Sequence, residues 1–271
     1  MKLPQISIVG SGWLGGALAT VLAEDYTIHI STTSVSKVET LKAQGFTPFV
    51  FSLGSTNTHE IPSFLEGSDI IIINFPPKRR IDAIETVYPQ QVSALLPFIK
   101  EHQKVLFISS TSVYQNTNDW VTESLPLHPE KASGLAVRGA EQALQEALQE
   151  RLTILRFSGL IGYDRLPGRF LANKKELRNG KSPVNVIHRD DCIGLIQRII
   201  ETKSWGEIFN GCSDEHPTRE HFYTLAATRL GLTAPEFVQE QTPTNFKLIS
   251  NRKSKEKLAY VYQFPDPLKL I

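Results

Sequence analysis

In the stretch IVGSGWLGGAL, Gly10, Gly12 and Gly15 fall in the spacing G-x-G-x-x-G, directly after a short apolar run and directly before a helical one. Glycine at the first position permits a tight turn, and at the second it lets backbone approach a pyrophosphate. At the third it lets helix and strand pack closely. A helix opening at this point offers free N–H groups and a partial positive charge to phosphates. The spacing alone is weak, because glycine punctuates many turns; the strand before it and the helix after it give it weight. Gly10, Ser11, Gly12, Trp13, Leu14 and Gly15 are therefore expected to cradle a dinucleotide.

The end of the second strand bears on which dinucleotide. A chain that prefers NAD places an acidic residue there, about 20 residues past the glycines, to hold the ribose 2′-hydroxyl. Here that place reads Ser31-Thr32-Thr33-Ser34, and Glu24 and Asp25 lie before the strand, at its other end. Hydroxyls donate to a 2′-phosphate and Lys37 adds charge, so NADP is the expected cofactor, with NAD the alternative. Asn74, Phe75 and Pro76 after strand four, Ser109 at the end of strand five and Ser158 at the end of strand six complete the expected cofactor contacts. Gly180-Lys181-Ser182 is no phosphate loop, because Lys175 stands where that motif needs glycine. Neither GxSxG nor HExxH occurs, which leaves hydrolase and zinc-protease readings without an anchor.

Elements that would position these residues follow from periodicity. QISIV (5–9) reads as a buried strand, and Leu14, Leu18, Val21 and Leu22 recur at helical spacing. Strands are expected at 26–31, 46–53, 69–74, 104–110 and 152–157. DIIIIN has no polar alternation, which suits a parallel strand covered on both faces. Ser36-x-x-Glu39 has the form of a capping box, with Gly45 to end that helix. Pro76 and Pro77 stop strand four, and a helical stretch containing Pro97 follows. Further helices are expected at about 137–150, 190–201 with Asp190 as N-cap, and 218–230. Strand and helix alternate throughout, so the fold class is α/β, a Rossmann-type doubly wound parallel sheet. Residues 1–160 would form the nucleotide domain, completed by about 184–212. Residues 161–183 and 213–271 would form a small C-terminal substrate lobe.

Composition narrows the rest. The 271 residues carry a formal net charge of +1, so no strong field points to nucleic acid or an acidic membrane. The KRR run at 78–80 reads as solvated loop. Two cysteines, Cys192 and Cys212, have no metal or redox spacing, and Asp214, Glu215 and His216 do not define a metal site. The N-terminus enters a strand directly and no segment approaches a membrane span, so a cytoplasmic protein is expected.

At strand five the sequence VLFISSTSVYQN resembles the extended short-chain dehydrogenase/reductase family, in which this strand ends in a serine or threonine four residues before a Val-Tyr tyrosine. That residue is Ser110, counted back from Tyr114. The resemblance continues in ILRFSGLIGYDRLPGRF and in NVIHRDDCIGLI and covers nearly the whole chain, thinning after about 235. The PGRF and PVNVIH runs look most like the YeeZ-like atypical subgroup, often labelled epimerases or dehydratases. The resemblance implies an NAD(P)-dependent enzyme in which Ser110 hydrogen-bonds the reacting heteroatom of a small hydroxyl, carbonyl or imine substrate.

One departure from the family is large. Its Tyr-x-x-x-Lys pair supplies the proton; aligning SGLAVRGAE puts Ser133 at the tyrosine and Val137 at the lysine, and none of the seven tyrosines has lysine four residues later. Positioned acid–base catalysis is worth roughly 10²–10⁴-fold. Tyr163, Arg138 and Tyr114 are the conceivable substitutes, although Arg138 is turned about 100° from the lysine position. The counterpart of Tyr114 in the family packs below the site. Arg165, Arg169 and His188 are candidate substrate contacts. The alternative to an enzyme is a catalytically silent NADP(H)-sensing binding protein. A hydroxyacid or imine reductase of the other G-x-G-x-x-G type shares Pro76-Pro77 but does not account for SSTSVY or HRDD. Oligomeric state stays open, because apolar stripes near 80–100 and 137–150 serve subunit pairing or the core equally well.

Overall fold

The computed structural model describes residues 3–54, 58–78, 81–239 and 245–271; Arg79 and Arg80 of the basic run lie outside them. The chain begins β1 (Gln5–Val9), α1 (Trp13–Leu22), β2 (Thr27–Thr32), α2 (Val38–Ala43), β3 (Thr47–Val50), α3 (Glu60–Leu65), β4 (Ile70–Ile73), α4 (Ile84–Ser93) and β5 (Lys104–Ser110). It continues with β6 (Trp120–Val121), α5 (Ala132–Leu148), β7 (Leu152–Phe157), β8 (Gly159–Ile161), α6 (Gly168–Leu171), β9 (Val186–His188) and α7 (Arg189–Glu201). The last elements are β10 (Ile208–Gly211), α8 (Arg219–Arg229), β11 (Leu248–Ile249) and α9 (Arg252–Leu258).

Seven strands form one sheet in the order β10-β7-β5-β4-β1-β2-β3. β1 pairs in parallel with β2 and β4, and the β2–β3 and β4–β5 pairs are parallel too. This is the doubly wound α/β sheet that the alternation predicts. The order reverses at β1, and folds of this kind bind ligands outside the carboxyl ends of the strands flanking such a point. All four isoleucines of β4 are buried, as a strand covered on both faces requires.

Several local expectations change. β3 ends at Val50 rather than 53, ahead of a turn in which Gly54 has φ +87°. The Ser36 capping box does not form: a 3₁₀ turn at Val35–Lys37 precedes α2, and the Ser36 hydroxyl pairs with that of Ser34 at 2.7 Å. Pro97 lies in a separate 3₁₀ turn, and the proline inside α4 is Pro89. α5 starts at Ala132, five residues before the expected 137. Asp190 falls in the first turn of α7, which opens at Arg189. Two small parallel ribbons, β8–β9 and β6–β11, were not legible at all.

By contacts the chain divides into two compact units: 1–113, 129–155 and 199–208 form the first, and 114–128, 156–198 and 209–271 the second. No helix among the described residues is long and apolar enough to cross a membrane. In the second unit, fully buried Asp191 ties the C-terminal segment to α7. Its carboxylate accepts from the Tyr260 hydroxyl (2.9 Å), the Gln263 N–H (2.7 Å) and the Phe264 N–H (3.1 Å). Burial pushes the Asp191 carboxyl above its ordinary range, against the pull of these donors. Asparagine would turn an N–H₂ group toward one of those donors. Asp191→Asn is therefore expected to destabilise the protein by about 1–3 kcal/mol, read from urea unfolding; an unchanged midpoint would show that the clamp contributes nothing.

Candidate functional site

The glycine loop owes its shape to close approach. Gly10 has φ +109°, and a Cβ there would lie 2.6 Å from the Asn74 carbonyl oxygen. A Cβ on Gly15 would collide with the Gly10 carbonyl and with the Asn74 amide. Gly12 differs, because a Cβ there meets no protein atom within 4 Å. It is the N-cap of α1 and places no side chain on the helix end. The first-turn N–H groups of α1, at Trp13, Leu14 and Gly15, therefore face the loop without a side-chain cap. Trp13 is half-buried; the Leu14 side chain packs in the core, so only its backbone faces the loop.

β2 anchors this loop. The Ser31 hydroxyl accepts the Gly10 N–H at 2.9 Å, and the Ser31 carbonyl accepts the Ser11 N–H at 2.9 Å. Thr32 is buried, with its hydroxyl accepting the Ser34 N–H at 3.1 Å. Thr33 and Lys37 are exposed. A cavity of about 310 Å³ opens over these residues. Gly10, Ser11, Gly12, Ser31, Thr32, Thr33, Ser34, Lys37, Asn74, Phe75 and Pro76 line it, as do Phe51, Ser52, Leu53, Lys78 and Gln91, which sequence reasoning missed. Nothing in the spacing of 51–53, 78 or 91 marks them; tertiary packing brings them there. The described lining holds two lysines and no carboxylate. The Phe75 carbonyl is held by the Tyr88 hydroxyl at 2.7 Å.

At the end of β5, Ser110 is half-buried and its Oγ accepts the Ser112 N–H at 3.1 Å, leaving the hydroxyl proton to donate. Ser109 is turned inward, donating to the Glu141 carboxylate at 2.5 Å. α5 packs tightly on the turn after β5, since a Cβ on Gly134 would sit 2.5 Å from the Ser112 carbonyl oxygen. Along this helix Ser133 is half-buried, Val137 is buried in the core and Arg138 is exposed.

The remaining candidates belong to the second unit. Tyr163 is 54% exposed at φ +55°, a conformation unfavourable for an aromatic residue, and its hydroxyl donates to both Asp190 oxygens at 3.0 Å. The Arg189 guanidinium lies 3.7 Å from the centre of its ring. His188 is buried beside Phe264, with ring centres 4.1 Å apart, and its Nδ1 accepts the Asp190 N–H at 3.3 Å. Burial holds this imidazole below its ordinary range, and the two neighbouring aspartates oppose that shift. Arg165 and Arg169 are exposed, and Arg165 pairs by backbone with Gly162. Ser158 is buried. Tyr114 is buried; its hydroxyl donates to Asn210 at 2.9 Å and accepts from Arg156 at 2.7 Å. Both cysteines are buried thiols, and burial pushes Cys212 up to about 12.

Two substitutions separate shape from function in the loop. Gly15→Ala is expected to cost about 1–3 kcal/mol or more through overpacking. Gly12→Asp adds a capping carboxylate in open space and is expected to leave stability unchanged or raise it by about 0.5–1 kcal/mol. Thermal unfolding of the two variants checks both; equal losses would contradict the geometry.

No family model matches the chain. Protein YeeZ of Escherichia coli (strain K12) is 32% identical to it over 272 residues, covering 98% of each. A dTDP-glucose 4,6-dehydratase from Bacillus anthracis, solved in complex with NAD, superposes with TM-score 0.79 at 18% identity, over 98% of this chain and 94% of that one. A UDP-glucuronic acid 4-epimerase from Bacillus cereus, solved with UDP-glucuronic acid and NAD, gives TM-score 0.77 at 18% identity, over 98% and 97%. The two solved structures share the fold, and the full-length identity to YeeZ carries the kinship: the chain belongs to the YeeZ family.

Proposed function

We propose that this protein is an NADP-dependent oxidoreductase or epimerase-like enzyme acting on a small molecule that carries a hydroxyl or carbonyl. The observation behind this reading is the cavity at the end of β2, lined by hydroxyls, Lys37 and Lys78 and by no carboxylate among the described residues. An acidic side chain there would repel a 2′-phosphate. The uncapped N-terminus of α1 and the open space over Gly12 suit a pyrophosphate, so the residues fit the group. Thr33, Ser34 and Lys37 would hold the 2′-phosphate, with Ser31 fixing the loop beneath. NADP supplies hydride exchange with a carbon bearing oxygen or nitrogen. Ser110 would donate its hydroxyl proton in a hydrogen bond to the reacting heteroatom.

One observation favours a second reading. Val137, at the family's lysine position, is buried, and an alkyl group neither binds a ribose nor lowers a neighbour's pKa. Arg138 beside it is exposed and always charged, which suits an oxyanion better than proton donation. A cofactor-binding protein without turnover, sensing NADP(H), fits those facts.

Calorimetric titration with NADPH and NADH tests the shared claim. NADPH is expected to bind about tenfold more tightly than NADH, the equivalent of about 1.4 kcal/mol. Lys37→Ala should erase most of that preference, and Gly12→Asp should abolish binding of both while the fold persists. No binding of either nucleotide to the wild-type chain would overturn both readings. Turnover of NADPH against a carbonyl panel, lost about 10²-fold in Ser110→Ala with cofactor affinity unchanged, would establish the enzyme. Binding without turnover across that panel would establish the sensor.

A further inference from the structure

A second cavity, of about 240 Å³, lies beside the β8–β9 ribbon within the second unit. Its lining residues include the apolar Leu160, Val186 and Phe170 and the polar Asn185, Tyr223 and Arg219. Asn185 is held in place: its amide donates to the Lys247 carbonyl at 2.9 Å, and its Oδ1 accepts the Ile249 N–H at 2.9 Å. Arg219 donates one Nη1 proton to the Arg178 carbonyl at 2.7 Å and lies 5.7 Å from the Phe237 ring centre. Both partners are neutral. A guanidinium carries five N–H donors in a rigid fork, so among the described residues its charge is not met by a carboxylate and most of its donors remain for a ligand. Burial pushes the Tyr223 phenol above its ordinary range and the Arg219 charge pulls it back, which puts the two groups within electrostatic reach of each other.

We infer that this cavity binds a small organic monocarboxylate, its carboxylate on Arg219 and the Tyr223 hydroxyl and its apolar body against Leu160, Val186 and Phe170. The planar fork of arginine matches a carboxylate with two parallel bonds. Arg219 is the one cation among the described lining residues, so a single negative charge is matched and a second would be desolvated without a partner. Size points the same way. At about 240 Å³ the cavity falls below the roughly 300–1,000 Å³ of sites for drug-sized ligands, which suits a small acid. The inference concerns the second unit alone and stands whether or not the glycine loop holds a dinucleotide.

Full-length protein without added nucleotide would be titrated with 3-phenylpropionate and 4-methylpentanoate, followed by saturation-transfer NMR and calorimetry. Their primary amides, inorganic phosphate and UMP serve as comparison ligands. Saturable binding of a carboxylate at least tenfold tighter than its amide is expected, with that preference lost in Arg219→Gln. Because that change also removes the bond to the Arg178 carbonyl, Tyr223→Phe provides a milder variant that keeps the ring, and a severalfold loss of carboxylate affinity is expected. Absence of saturable carboxylate binding, equal binding of acid and amide, or displacement by phosphate or UMP at equal concentration would overturn the inference. So would carboxylate affinity unchanged in both folded variants.

Discussion

The glycine loop keeps its shape through two N–H groups that Ser31 binds from the neighbouring strand. One Ser31 oxygen is side chain and the other backbone, so β2 fixes both the turn at Gly10 and the residue that follows. That anchor works only because Gly10 and Gly15 lack side chains: the loop, the Asn74 strand end and α1 meet at distances no Cβ tolerates. The position of the α1 N-terminus, and with it the field that would meet an anion, depends on this junction. A strand end thus serves as scaffold and as part of the cavity wall, and the hydroxyls in Ser31-Thr32-Thr33-Ser34 are not equivalent. Ser31 and Thr32 accept bonds from backbone within the fold, while Thr33 remains exposed.

Of the two positions that the sequence resemblance assigns to an acid–base pair, Ser133 is half-buried and Val137 lies in the core. Val137 is buried on the face of α5 that packs on the sheet, and Gly134 brings the helix hard against the turn after β5. A lysine at 137 would bring a charge into that packing and require a partner to offset its desolvation. Two tyrosines considered as substitutes are already engaged. Tyr114 sits between Arg156 and Asn210, and Tyr163 gives its hydroxyl to Asp190. At the end of β5, Ser110 accepts a bond from the Ser112 N–H, which leaves its hydroxyl proton to donate.

The second unit is organised differently. Its ribbons are two or three residues long, too short to stand without the side chains packed on them. Ile161, Val184, Val186 and Phe222 form a compact apolar cluster there, and Asp191 ties down the chain end through one hydroxyl and two backbone N–H groups. Order in this part comes from a few polar anchors around a small core, which leaves room for a cavity with a charged edge.

Features set by local period and by backbone freedom were legible in the sequence alone. The Gly10-Gly12-Gly15 spacing, the run of four isoleucines in β4, and the alternation of strand and helix pointed to the doubly wound sheet, because each depends on residues close together in the chain. The early part of the cavity lining followed from the same motif. Phe51, Ser52, Leu53, Lys78 and Gln91 did not, since they reach it only once separate elements stack. Ser36 has the spacing of a cap, yet a preceding turn takes its hydroxyl. Arg219 and Tyr223 stand about 60 residues from Leu160 in a stretch without motif. Only the tertiary structure decides which hydroxyls are committed, which charges are matched and which distant side chains share a cavity, because those depend on distances that no sequence period encodes.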